Sequence, residues 1–430
     1  MAKSYIFSKK NTNPLFKDSL EKPLTQRLKK KITKLPPRVP GGSSIAQVAI
    51  TKRLRLTALS QSDQELLADP FTLAIKEEYQ KNIENFIGTV KVPVGLAGPL
   101  RVNGTYAHGE YYIPLATTEA ALVASYHRGS LLISEAGGCS SLLLCEGVSR
   151  APGFIFNNLS EAGSFVKWCV ENLDSFKEEA HKTTSHGKMQ DMKVDVDGNH
   201  VYLIFEYKTG DASGQNMVTF ATDAVVQFII ANSPVKPLHY FIEANLSGDK
   251  KASTQSFHSV RGKKVTAEIS IPRHLVEKYL HTTPELMAKY WMISAVGGVL
   301  TGCIGTQGHY ANGLAALYMA CGQDVACVAE SAIGITRIEL TKEGDLYACV
   351  TLPNIMVGTV GGGTKLPSQL ACLNILGLSG TGKSAAFAEV CAALMLAGEL
   401  SIQGAICAQH FSRAHNKLAR DKNGPAPCNK

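Results

Sequence analysis

Val201-Tyr202-Leu203-Ile204-Phe205 is a short run of aliphatic and aromatic residues. It is followed by Gly210-Asp211-Ala212-Ser213-Gly214 and then by apolar residues at helical spacing from Gln215 to Asn232. The stretch reads as an alternating strand, a glycine turn and a helix. Upstream, Ser164 to Glu179 carries a second helical pattern, so Pro152 to Ile242 runs helix, strand, helix, strand. That succession describes a small α+β unit.

The flanks have a different texture. From Leu54 the pattern is helical, until Pro93, Gly95, Gly98 and Pro99 break the chain ahead of a polar-apolar hairpin over residues 100–114. A long helix is expected to start near Thr118. From Pro284 onward, helices joined by Gly-rich turns predominate, and no internal repeat is present. The expected fold class is α+β multidomain. A large, mainly helical domain lies in two sequence pieces, 53–149 and 253–421, with the α+β unit (150–242) inserted between them and followed by a loop at 243–252. Residues 1–52 read as a basic arm with one short helix, and 422–430 as a flexible tail.

At 430 residues the chain exceeds one ordinary hydrophobic core, and with 45% hydrophobic and 19% charged residues it is too apolar to be disordered. The formal charge of +8 gathers at the ends, in Arg27, Lys29, Lys30 and Lys31 and in Arg413, Lys417, Arg420 and Lys422. No aromatics interleave, so these read as solvated ends and not as a nucleic-acid arm. The eleven cysteines occur singly, as at Cys145, Cys321, Cys372, Cys391 and Cys407, and read as reduced core residues with no zinc spacing. The N-terminus MAKSYIFSKKN lacks the apolar core of a signal peptide, and no apolar run reads as a bilayer span. A cytoplasmic protein without metal, membrane or nucleic-acid partners is expected.

Three pieces open the larger domain: Glu84-Asn85-Phe86-Ile87-Gly88, Pro93-Val94-Gly95-Leu96-Ala97-Gly98-Pro99 and Pro114-Leu115-Ala116-Thr117-Thr118-Glu119. Taken alone they are two turns and a threonine helix cap. They are followed in order by Gly210 to Met217, Asp249-Lys250-Lys251, Ala320-Cys321-Gly322-Gln323-Asp324, Gly358-Thr359-Val360-Gly361-Gly362-Gly363-Thr364, and a His415 beyond Gly398-Glu399-Leu400-Ser401. The ordered set resembles the catalytic domain of 3-hydroxy-3-methylglutaryl-coenzyme A (HMG-CoA) reductases, to about residue 420.

The resemblance implies a ferredoxin-like insert that binds NADP, and reduction of HMG-CoA to mevalonate and CoA with two NADPH. It makes Glu119, Lys250, Asp324 and His415 catalytic. A buried Glu-Lys-Asp cluster suits the chemistry: a fixed ammonium stabilises the oxyanion formed by hydride attack, a carboxylate keeps that ammonium charged, and a desolvated glutamate holds a proton to give. The departing thiolate, whose acid titrates near pH ~8.5, needs a proton that an imidazolium can supply. By the same resemblance, Ser185, His186, Lys188, Asp211, Gly214, Asn216, Gly361 and Gly362 hold NADPH. Glu84, Asn85, Ser125, Arg150, Asn245, Asp249, Lys251, His309 and Asn312 hold HMG-CoA, with Arg150 on its free carboxylate. The site is expected between the subunits of a homodimer or homotetramer. Three positions depart from the family pattern: Ser213 where methionine is usual, His186 where arginine is usual, and Glu243 where serine is usual.

A rival reading comes from Gly377-Leu378-Ser379-Gly380-Thr381-Gly382-Lys383-Ser384, which fits the phosphate-loop pattern of nucleotide triphosphatases in full. That loop needs a buried strand before it, whereas Pro367 to Leu376 has a helix start signal and helical length. A helix-helix turn is therefore expected. A non-catalytic scaffold is disfavoured because Glu119, Lys250, Asp324 and His415 are all present.

Overall fold

A computed structural model describes residues 36–184 and 187–409, which form two compact units dividing between Thr89 and Val90. The first contains helices α1 (Gln47–Leu54), α2 (Gln61–Leu67) and α3 (Pro70–Ala74). Ser60 and Asp69 cap α2 and α3 by accepting from the amides of Asp63 and Thr72, and Pro70 starts α3 where its missing N–H needs no partner. Ile45, Ile50, Leu54 and Phe86 form the core of this unit. The expected boundary at 52/53 falls inside α1. The reason is the buried Arg53, whose guanidinium donates to the carbonyls of Pro40, Gly42 and Ser44 on one side and of Phe86 on the other.

The second unit opens with an antiparallel hairpin, β1 (Val94–Gly104) and β2 (His108–Ala116). It is longer than the expected 100–114 because the Gly-Pro segment bulges within the strand and does not end it: the register shifts between Ala97 and Leu100. Gly98 sits there at φ +122°, and a Cβ on it would lie 2.7 Å from the Tyr111 carbonyl oxygen, so only glycine fits. Helix α4 (Leu122–Glu135) follows, then β3 (Cys139–Arg150) and β4 (Gly153–Ile155).

The expected helix at 164–179 is two helices, α5 (Leu159–Glu171) and α6 (Leu173–Lys182). They part at Asn172, whose side chain donates to the Trp168 carbonyl at 2.8 Å and satisfies an end group of α5. Next come β5 (Lys188–Asp197), β6 (His200–Lys208), α7 (Gln215–Asn232) and β7 (His239–Phe241). A bulge between Met189 and Asp191 breaks the alternation of β5 and hid it in the sequence. The strands lie in the order β7-β4-β6-β5, every neighbour antiparallel, with α5–α6 linking β4 to β5 and α7 linking β6 to β7. This is a β-α-β-β-α-β succession.

The remainder comprises β8 (Gly262–Ile271), α8 (Arg273–Leu280), α9 (Pro284–Thr301), β9 (Gly305–Thr306), α10 (Tyr310–Ala320), α11 (Val328–Ser331), β10 (Gly334–Leu340), β11 (Leu346–Ile355), α12 (Pro367–Leu376) and α13 (Ser384–Cys407). It is less helical than expected, since the sheet continues from β3 through β8, β11 and β10 to β9. The expected boundary at 149/150 is not a break: β3 pairs with β8 through Ser140–Gly147 and with β6 through Val148–Arg150. Helix α13 corrects the reading that no apolar run is long enough for a bilayer. By length and composition it could cross one, yet 83% of its most apolar stretch is buried inside the protein. Its wholly buried Glu389 accepts from the amides of Tyr106, Ala107 and Leu143, which anchors the hairpin and β3 to the helix. Of the cysteines read as core, Cys321, Cys372 and Cys391 are buried, whereas Cys145 is exposed on β3.

Candidate active site

Arg150 ends the strand shared by both parts of the sheet, and the loop after β7 folds back against it. Arg150 Nη1 donates to Asp249 Oδ2 at 3.2 Å and to Glu243 Oε2 at 3.3 Å. Asp249 also pairs with the buried Arg261 at the start of β8, and Arg261 Nε reaches the buried Glu330 Oε1 of α11 at 3.3 Å. Carboxylate and guanidinium thus alternate from Glu243 inward to Glu330. Burial works against the charged Asp249, but Arg261 and Arg150 outweigh it and hold the carboxyl below its usual range. Burial pushes Glu330 up despite Arg261.

Beside this chain, Lys250 takes the left-handed conformation at φ +55° and forms an ion pair with Asp324, Nζ to Oδ2, at 2.9 Å. Asp324 is fixed in turn by accepting the Ala326 amide at 3.0 Å. Its hydrogen bond holds the Lys250 ammonium above the ordinary lysine range. Lys251 donates to the Asp249 carbonyl, and the Asn245 amide donates to Glu243 Oε1 at 2.7 Å.

The expected buried Glu-Lys-Asp cluster is corrected in two respects. Lys250 and Asp324 do meet, but their side chains are 43% and 41% exposed. Glu119 is exposed in the turn ahead of α4, its amide donating to Thr117 Oγ1, and among the described residues no hydrogen bond or ion pair joins its carboxylate to either partner. The physical reason is the entry to α4: Ala121 at φ +71° ends an open turn, and the helix starts only at Leu122. Glu84 and Asn85 stand exposed in the first unit. Ser185, His186 and His415 lie outside the described residues.

A second cluster joins α4, α10 and α13. Ser125 Oγ lies 3.0 Å from Ser401 Oγ, and Arg128 donates to Ser401 through Nε and Nη2. His309 stands at the N-terminal end of α10 with its ring stacked on Tyr126, 5.0 Å between centroids, and its Nε2–H donates to the Gly398 carbonyl. The buried Glu399 accepts from the amides of Gly308 and His309. Asn312, one turn into α10, is half-buried.

The third cluster is the loop before α7. Gly210 and Gly214 are both left-handed, at φ +63° and +76°, and a Cβ on Gly214 would meet Thr209 Cγ2 at 2.3 Å. Among the described residues no side chain caps α7, which leaves its first amides and the exposed Asn216 for an outside acceptor. The loop packs on Gly358, and its Asp211 carbonyl accepts the Thr359 amide, which brings Gly361 and Gly362 to the same place. Lys188 lies opposite Lys208 on β5 and β6, both exposed. The Asp211 carboxylate has another duty, accepting from the amides of Gly382 at 2.7 Å and Ser384 at 3.1 Å.

That contact removes the triphosphatase reading. Gly377–Ser384 is a turn between α12 and α13, a helix and not a strand precedes it, and amides that a phosphate would need are taken by Asp211. Sequence reasoning missed Arg128, Arg261, Glu330 and Lys263. Lys263 is buried, 3.5 Å from Glu146, and donates to the Gly210 carbonyl behind the loop before α7. The signal was present in the charged Arg261-Gly262-Lys263-Lys264 at the head of a strand that then alternates Val265, Ala267, Ile269 and Ile271 with polar residues. Among the described residues no group of His, Cys, Asp and Glu could hold a metal.

The sequence model of hydroxymethylglutaryl-coenzyme A reductase matches residues 49–420. The 3-hydroxy-3-methylglutaryl-coenzyme A reductase of Pyrococcus horikoshii is 46% identical over 348 residues, covering 79% of this chain and 84% of its own. That of Methanothermobacter thermautotrophicus is 42% identical, with 81% and 88% covered. Among solved structures, the class II enzyme of Streptococcus pneumoniae bound to NADPH aligns with a TM-score of 0.61 at 20% identity, over 83% of this chain and 96% of that one, a likeness of fold alone.

Proposed function

Because the chain belongs to the hydroxymethylglutaryl-coenzyme A reductase family, we propose that it reduces HMG-CoA to mevalonate and free CoA with two molecules of NADPH, by way of the residues gathered around Lys250. The observation that carries this reading is the Lys250–Asp324 ion pair beside the nearly buried Arg150 guanidinium, the expected anchor of a free carboxylate. NADPH, when bound, supplies the hydride. The residues present suit it: uncapped amides at the start of α7, glycines at 361 and 362 without side chains in the way, and cations at Lys188 and Lys208 for the phosphates.

In this reading the Lys250 ammonium stabilises the oxyanion on the carbonyl under attack, and Asp324 keeps it charged. Arg150, Asn245, Asp249 and Lys251 orient the acyl group. Ser125, His309 and Asn312 face the CoA portion. Glu119 gives the proton to the reduced oxygen, and His415 protonates the departing thiolate. The site is completed between subunits of a homodimer or homotetramer. The supporting observation is α9, which exposes Met292, Ile293, Val296, Val299 and Leu300. The test is an assay with purified protein and HMG-CoA, comparing NADPH with NADH. Two NADPH consumed per mevalonate is the expected result, and no HMG-CoA-dependent oxidation of either cofactor would refute it.

A further inference from the structure

The departure at Glu243 has a structural consequence. Arg150 is nearly enclosed, with 8% of its side chain exposed, and its donors are largely committed. Nη1 serves Glu243 and Asp249, Nη2 reaches the Gln215 carbonyl at 3.4 Å, and Nε is buried without a hydrogen-bond partner among the described residues. A substrate carboxylate arriving at this guanidinium meets two carboxylates already there. Like charges at such range repel, so one must give way.

The two are not equally held. Asp249 is shared by Arg150 and Arg261 and is the less exposed, at 21% against 30% for Glu243. Among the described residues Glu243 has Arg150 as its single ion-pair partner. Its remaining bonds come from the backbone: the Asn245 amide to Oε1 at 2.7 Å and the Ala151 amide to Oε2 at 3.4 Å. Rotation of the carboxylate can keep the first of these while releasing the guanidinium. The loop also turns at Asn245, whose φ of +67° is one that asparagine adopts readily.

We propose that Glu243 is an internal competitor for Arg150, occupying the guanidinium that the terminal carboxylate of the acyl-CoA substrate must engage, so that this residue sets the affinity for that substrate. The proposal rests on the reading of Arg150 as the carboxylate anchor. Removing the competitor's charge should make the substrate bind more tightly, whereas deleting a residue that merely supports the site would weaken binding.

The experiment is equilibrium binding of HMG-CoA and of 3-hydroxybutyryl-CoA, which lacks the terminal carboxylate, to the wild type, Glu243→Gln and Glu243→Ser. Both variants should bind HMG-CoA about tenfold more tightly, the size of one charge-assisted hydrogen bond, and bind 3-hydroxybutyryl-CoA as the wild type does. Weaker or unchanged HMG-CoA binding, or an equal change for both ligands, overturns the proposal. Reductase activity is read separately as NADPH oxidation, so a protein that binds HMG-CoA without oxidising NADPH refutes the proposed reaction while the binding comparison still decides the role of Glu243.

Discussion

At the scale of single residues, the Lys250–Asp324 pair makes a prediction about pH. The ammonium is raised above the ordinary lysine range, first by the hydrogen bond to Asp324 and against a smaller opposing effect of burial. A raised lysine keeps its proton at pH values where a free lysine has begun to lose it, and its charge disappears only as pH climbs through the raised value. If that charge stabilises the oxyanion, the alkaline fall of kcat/KM reports it. Asp324→Asn removes the main cause, so the alkaline limb should move to lower pH, with a lower plateau. A profile measured from neutral to strongly alkaline pH checks this, and an unmoved limb would show that another group sets the alkaline fall.

At the scale of elements, the turn from α12 to α13 shows how a motif can mislead. Its glycines and lysine satisfy a phosphate-loop pattern, but the amides of Gly382 and Ser384 are bound by the Asp211 carboxylate. Burial disfavours the charged Asp211, yet these bonds together hold its carboxyl below the usual range. Asp211→Ala should cost about 1–2 kcal/mol in denaturant unfolding, as loss of a helix cap does, whereas Lys383→Ala should stay within about 0.5 kcal/mol and keep its turnover. A large loss of turnover in Lys383→Ala would show that this lysine does more than occupy a turn. The elements most legible in the sequence were those with one uninterrupted period, and α7 spans the expected Gln215–Asn232. Strand β5 was illegible because its bulge and charges break the alternation. Motif order singled out Asp249, Lys250 and Asp324, and the structure brings Lys250 and Asp324 into an ion pair. The support given by Arg261 and Glu330 was not, because a buried ion pair joins residues far apart in the chain and no local pattern records it.

At the scale of the whole molecule, α9 poses the question of what covers it. Among its 18 residues only Pro284 and Met287 are buried, and along one stretch Met292, Ile293, Val296, Val299 and Leu300 are between 55% and 82% exposed. Burying a side chain of this kind is worth about 1.5–3 kcal/mol, so a face of five left in water is a large unused driving force for association. Under the proposed subunit-shared site, the occupant would be a second copy of the chain, and the exposure of Glu119, Lys250 and Asp324 in one chain agrees with that proposal. Val299→Lys combined with Leu300→Lys should therefore do two things at once. It should convert a dimer or larger species to monomer in sedimentation, and it should abolish most turnover per chain while the fold, followed by circular dichroism, persists. The wild type should lose specific activity on dilution below its dissociation constant. The two effects must coincide: a monomeric double variant with full turnover would place the complete site within one chain, and α9 would then need a different partner.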